Sequence, residues 1–157
     1  MIQRKQTIFL SLSLLSFVFL LVAPFASFKL GTELTCYISI FAIQNLEGFT
    51  KLNYMFIIMQ ILVTLFMSLT GVAIFMYKKR SLQVRLCAFA LLTNILVILA
   101  IFLTTTMFTN ALQLPTENPI NYLFPTYVPL VTLLFVFAAQ RAIRKDAAII
   151  RSLNRLR

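Results

Sequence analysis

The chain predicts an all-α integral membrane protein with four transmembrane helices and both termini cytoplasmic, and three observations predict it. Of its 157 residues 61% are hydrophobic and only 11% charged, against roughly 45–50% apolar and about 25% charged in soluble domains. The charged residues leave four long uncharged runs, 6–28, 52–77, 86–116 and 118–140. Its basic residues, which give a net charge of +10, are also unevenly placed: twelve of the fourteen lie in alternate segments between those runs.

A charge at the centre of a spanning helix costs roughly 2.5–3.5 kcal/mol, so each uncharged run is a candidate span. Crossing about 30 Å of hydrocarbon at 1.5 Å per residue takes roughly 20 residues. The expected helices run 7–25, 52–77, 86–112 and 123–140 within one membrane domain, 1–157, followed by a tail, 141–157. The first run follows Arg4 and Lys5 and ends near Ala23-Pro24-Phe25-Ala26, which has the general form of a signal peptide. Pro24 stands where a cleavage site wants a small residue and the run is long for such a leader, so an uncleaved helix is expected.

Orientation follows from the cations. Arg4 and Lys5, the second loop with Lys78, Lys79, Arg80 and Arg85, and the tail with Arg141, Arg144, Lys145, Arg151, Arg155 and Arg157 fall on one side, and Lys29 and Lys51 on the other. The positive-inside rule makes the first group cytoplasmic. Glu33, Glu47 and Glu117 are then outside, and Asp146 is the one cytoplasmic acid.

In the outer loop 29–51, Thr35-Cys36-Tyr37-Ile38-Ser39-Ile40-Phe41 has the β-branched and aromatic content of a short strand or hairpin, with an interfacial helix as the alternative. Pro115 and Pro119 mark the third loop; Pro125 suits the first turn of the fourth helix, and Pro129 predicts a kink. If that helix continues into the tail, Arg141, Arg144, Lys145, Ala148, Arg151, Ser152 and Arg155 share one face and Ile143, Ile149, Ile150, Leu153 and Leu156 the other. Such a helix suits the membrane surface. Its cations set topology and complement the helix dipole, or dock to anionic lipid headgroups or an acidic partner; ribosomal RNA at the membrane is a further candidate without any recognised motif behind it. Asp146 falls on the apolar side of this wheel. It either caps a separate helix starting at Ala147 or pairs with a nearby cation, unless it serves partner recognition.

The expected spans contain no Asp, Glu, Lys, Arg or His, and the chain has no His at all. Intramembrane ionisable residues mark proton relays and ion paths, so a pump or coupled transporter is disfavoured, and imidazole general-base catalysis is excluded within this chain. The polar residues left in the spans include Gln60 and Asn94, whose amides need partners in hydrocarbon; interhelical hydrogen bonds are their expected role, at different depths and so not to each other. Cys36 and Cys87 lie on opposite sides of the bilayer, beyond disulfide reach. No phosphate-binding loop, dinucleotide fingerprint, nucleophile elbow or CxxC pair occurs, and no cofactor is expected.

The opening Met1-Ile2-Gln3-Arg4 with Gln6-Thr7, the inner loop from Tyr77-Lys78-Lys79-Arg80 to Arg85-Leu86-Cys87, and the tail Arg141-Ala142-Ile143-Arg144-Lys145-Asp146 ending Arg151-Ser152-Leu153-Asn154-Arg155-Leu156-Arg157 resemble a Bacteroidota family of short four-helix integral membrane proteins designated a domain of unknown function. The resemblance spans the chain and is most specific in the cytoplasmic segments. It implies a bacterial inner-membrane location and supplies no activity. It also implies that Asp146 and the tail cations belong to the family's signature, which favours the cytoplasmic face as a docking surface.

The expected function is a non-enzymatic accessory or scaffold subunit of a larger inner-membrane complex, contacting other subunits or anionic lipid through Lys78, Lys79, Arg80, Arg85, Arg141, Arg144, Lys145, Asp146, Arg151, Arg155 and Arg157. The alternative is a small oligomeric channel or lipid-binding carrier. A membrane enzyme using Cys87 or Asp146 is a third reading.

Overall fold

The structure, a computed structural model, describes residues 3–30, 34–41, 43–44, 53–77, 79–112 and 120–155, with side chains described for all of these except 3–5, 30, 34, 44, 53 and 150–155. Four α-helices form these parts, α1 (Gln3–Val22), α2 (Asn53–Phe75), α3 (Arg80–Ala111) and α4 (Val128–Arg155), together with short strands β1 (Ala26–Leu30), β2 (Leu34–Ile38), β3 (Ile43–Gln44) and β4 (Asn121–Tyr122) and a 3-10 turn, Phe124–Tyr127. The helices pack as a ring in which α1 touches α2 and α4, and α3 touches α2 and α4.

Three helix boundaries differ from the uncharged runs for local reasons. α1 stops at Val22 rather than at residue 25, because Pro24 supplies no N–H and disfavours helix at Ala23 before it. Its described apolar stretch, Gln6–Val22, is shorter than the other three helices, which are long and apolar enough to cross a membrane. The expected fourth full span is thus about 25 Å long, at the lower limit for crossing. α3 begins six residues before 86, since nothing in Arg80–Arg85 breaks a helix and a cation outside the hydrocarbon carries little cost. The chain from 123 first makes the 3-10 turn, with Pro125 early in it and the Val128 N–H donating to Pro125 O. Pro129 therefore sits in the first turn of α4, where a missing N–H breaks no helical bond, and the expected kink does not follow from it.

α3 illustrates how the core is chosen. Gln83, Cys87, Ala90, Asn94, Val97, Ile101, Thr104 and Phe108 are buried, a three-and-four spacing that holds one stripe toward the neighbouring helices. Cys87 and Ala90 are small, which lets backbones approach. Phe89, Leu92, Leu96, Leu99 and Leu103 point outward, the arrangement a lipid solvent permits and water penalises. Phe17 stacks on Phe66 with centroids 4.1 Å apart, joining α1 to α2.

At the end opposite the chain termini the protein is not all-α. An antiparallel sheet in the order β3-β2-β1-β4 takes three strands from the chain between α1 and α2 and one from the segment before α4. The strand expected from Thr35 is β2; its partner β1 lies earlier than expected, immediately after Pro24. Register pairs Ala26 with Ile38 and Phe28 with Cys36, so four buried residues share one face. The backbone of Phe25 closes the sheet onto the helices: its N–H donates to Ile38 O (2.9 Å), and its carbonyl accepts from the Leu123 N–H (2.9 Å) and from the Thr126 hydroxyl. α3 runs past the start of α4 and flanks the sheet, with Phe102 packed on Tyr122 at 5.5 Å and Thr105 Oγ1 3.2 Å from Tyr122 Oη.

Candidate docking surface at the basic end

The other end of the bundle is built around Asp146. α4 is a single helix through this residue, so it caps no separate helix at Ala147. The carboxylate is buried and accepts a hydrogen bond from Gln6 Nε2 of α1, while its backbone carbonyl accepts from Arg80 Nη1 of α3 at 3.3 Å. Three helices are thereby brought to one level. The carboxylate turns inward, away from the surface where the neighbouring cations lie.

Two further amides tie this end. Gln83 Nε2 donates to Ala73 O of α2 (3.0 Å), and Gln140 Nε2 donates from α4 to Val84 O of α3 (3.2 Å). Gln6, Gln83 and Gln140 were not among the polar residues singled out from the sequence. The signal was the apolar stripe of α3: Gln83 lies eleven residues before Asn94, three helical turns, on the same face.

Around this core Lys79, Arg85, Arg141, Arg144 and Lys145 are exposed and Arg80 is half-buried. The α2–α3 turn is tight, with the Lys79 N–H donating to Met76 O at 3.0 Å. It places Lys79 and Arg80 at the start of α3, which has no acid in its first turn; cations there oppose the helix dipole, whereas those late in α4 complement it. Lys78 and Arg157 lie outside the described residues, as do the side chains of Arg151 and Arg155.

The structure separates the two interior amides. Asn94 Nδ2 donates to Pro129 O (3.0 Å) and Thr132 Oγ1 (2.9 Å) of α4. Its Oδ1, like Gln83 Oε1, is buried without a partner. Gln60 Nε2 reaches Ile40 O at 3.5 Å, a carbonyl just beyond β2 and not on a helix. Neither Cys36 nor Cys87 is in a disulfide, and both are buried, at opposite ends of the bundle. Burial pushes the Cys36 thiol above its ordinary pKa. Among the described residues no group of three His, Cys, Asp or Glu could hold a metal ion. On the bundle's side, Ser16, Phe19, Phe124, Tyr127, Val128 and Val131 line an apolar groove of about 190 Å³.

Helices long and apolar enough to cross a bilayer, with a cationic end and a small sheet at the other, define an α-helical protein of the membrane class. A family model described as a domain of unknown function (DUF4293) matches residues 2–156, and the chain belongs to that family. No curated protein matches it.

Proposed function

We propose that this protein is a non-enzymatic accessory or scaffold subunit of a larger bacterial inner-membrane assembly, with its termini and the α2–α3 turn in the cytoplasm. The observation that carries this reading is the division of labour at the basic end. The acid there is spent on holding helices together, and the exposed cations Lys79, Arg85, Arg141, Arg144 and Lys145 from two helices and a turn are left facing outward. A surface of one sign, with little extramembrane mass beside it, supports contact with other subunits and with anionic lipid. In the same reading α1 completes the fourth crossing with the sheet at its outer end.

Purification of a tagged copy from native membranes in mild detergent, with native mass determination, tests it. A stoichiometric protein partner is expected. A lone monomer, together with unaltered membrane complexes in a deletion strain, overturns it.

The lateral groove favours a second reading, a lipid carrier whose apolar slot holds part of an acyl chain. Among the described lining residues the one polar side chain besides Tyr127 is Ser16, which donates its hydroxyl to Leu12 O of its own helix (2.8 Å). Lipid flux in proteoliposomes that is abolished by Val131→Trp, which fills the slot, is the expected result under this reading; no flux removes it.

A further inference from the structure

We infer that water is bound at two fixed points inside the helix bundle, on Gln83 Oε1 and on Asn94 Oδ1, both carried by the buried stripe of α3. The inference needs no partner and goes beyond the accessory-subunit reading. It starts from two acceptors. Gln83 is 2% exposed and Asn94 fully buried, and neither amide oxygen has a hydrogen-bond donor among the described residues. Buried polar groups are nearly always paired, so an oxygen this deeply buried and unpaired points to a donor from outside the chain.

Turning the amides over does not relieve them. Asn94 Nδ2 faces the Pro129 carbonyl (3.0 Å) and Gln83 Nε2 the Ala73 carbonyl (3.0 Å). A flipped amide would set oxygen against oxygen in both places. The nearby hydroxyl protons are already committed. Thr132 donates to Pro129 O (2.9 Å), Thr93 to Phe89 O (2.6 Å), and Thr70, three residues before Ala73 on α2, to Phe66 O (2.7 Å). The Gln140 amide that reaches α3 beside Gln83 is directed to Val84 O (3.2 Å).

The donor has to be small and neutral. A metal ion takes several oxygen ligands, and among the described residues no group of three His, Cys, Asp or Glu could hold one. An organic cation at Asn94 would lack a counter-charge on α4, since Asp146 stands fourteen residues from Thr132, about 21 Å along the helix. Water meets both conditions. An internal water makes about three hydrogen bonds, and Thr93 Oγ1 and Thr132 Oγ1 keep lone pairs for a proton that the Asn94 oxygen does not take.

The side chains around the two oxygens point to the same half of the bundle. Gln83 and Asn94 are eleven residues apart on one face, about 16 Å along α3. The buried positions between them on that face are Cys87 and Ala90, whereas past Asn94 the stripe continues with Val97, Ile101 and Phe108. Short side chains beside the unpaired oxygens fill less volume than the branched and aromatic ones that follow, and an internal water needs volume as well as polar partners.

A high-resolution crystal structure of the unmodified full-length protein, grown from a lipidic mesophase, is the first test. Density for a single water about 2.5–3.0 Å from each oxygen is expected. Radiolytic labelling in detergent is the second, because X-rays split bound water into hydroxyl radicals that oxidise nearby sulfur. In water enriched in heavy oxygen, with a scavenger of bulk radicals, the heavy isotope is expected on Cys87, which is fully buried one turn beyond Gln83. That labelling is expected to fall to background in Gln83→Met, which keeps the length of the side chain, while Met107, 43% exposed, labels equally in both proteins. Missing density at either oxygen, a protein donor found there instead, or Cys87 labelling that survives Gln83→Met overturns the inference.

Discussion

The two ends of the bundle are fastened by different chemistry. At the basic end side chains do the fastening: Gln6, Arg80, Gln83 and Gln140 reach across to a carboxylate or to carbonyls of neighbouring helices. At the sheet end the backbone does it, through the β ladder and the knot at Phe25. A helix end close to polar surroundings can hand its neighbours long polar side chains at low cost. A chain that turns twice outside its helices has unsatisfied N–H and C=O groups to pair, and a sheet pairs them without any particular side chain. The difference teaches that the basic end is sensitive to single polar substitutions and the sheet end to loss of packing volume.

The sharpest way to break this comparison is at Phe25, whose ring is fully buried. Phe25→Ala is expected to cost about 3–5 kcal/mol, read by denaturation from mixed micelles, with hydrogen-exchange protection falling first in β1 and β2. If protection falls first in the amides around Asp146, the two ends are not independent. At the basic end Gln6→Leu leaves the Asp146 carboxylate unpaired and is expected to cost about 1–3 kcal/mol. Adding Asp146→Leu should recover much of that, because replacing both partners by apolar groups removes the unpaired charge; a double variant as unstable as the sum of the singles would show that the pair is not coupled.

Thr126→Val removes one of two donors to the Phe25 carbonyl and keeps the Leu123 N–H, so a loss of about 0.5–1.5 kcal/mol is expected in the same assay. Asn94→Leu gives up the bonds to Pro129 and Thr132 together with an orphaned oxygen. Interhelical bonds in membranes average about 0.6 kcal/mol, so this is expected to be the smallest effect. Cys36 supplies a pH test of the sheet end. Its raised pKa means that the native state holds the proton more tightly than the unfolded chain, so this contribution to stability is complete below the ordinary thiol pKa of about 8.5 and is lost as pH rises past it. Iodoacetamide alkylation at pH 8 should accordingly be slow in the folded protein and fast once the sheet is unfolded.

Much of the helical frame was legible because charges are excluded from hydrocarbon, and the uncharged runs locate α1 to α4 to within a few residues at most ends. The larger misplacements are informative. Arg80–Arg85 read as loop since charge was taken as a boundary, yet a helix can outlast the membrane. Ala26–Leu30 read as the end of a span and its loop because β1 carries little β-propensity of its own; Ala26, Ser27 and Lys29 become a strand by pairing with β2 and β4. Asp146 stood out on the wheel as a carboxylate on the apolar side, but its partner lies 140 residues away on α1, and no local pattern reports such a contact.

What the sequence by itself determined is where chain can enter a membrane and which segments carry the positive charge, since both follow from the solvation cost of each residue taken alone. Only the tertiary structure decided that α1 is capped by a sheet, that the polar residues of the basic end close on Asp146, and that α4 runs unbroken past it. Those depend on which surfaces meet. A buried amide or carboxylate is satisfied by whatever the fold brings within about 3 Å, and that distance is a property of the packed helices, not of the neighbouring residues in the chain.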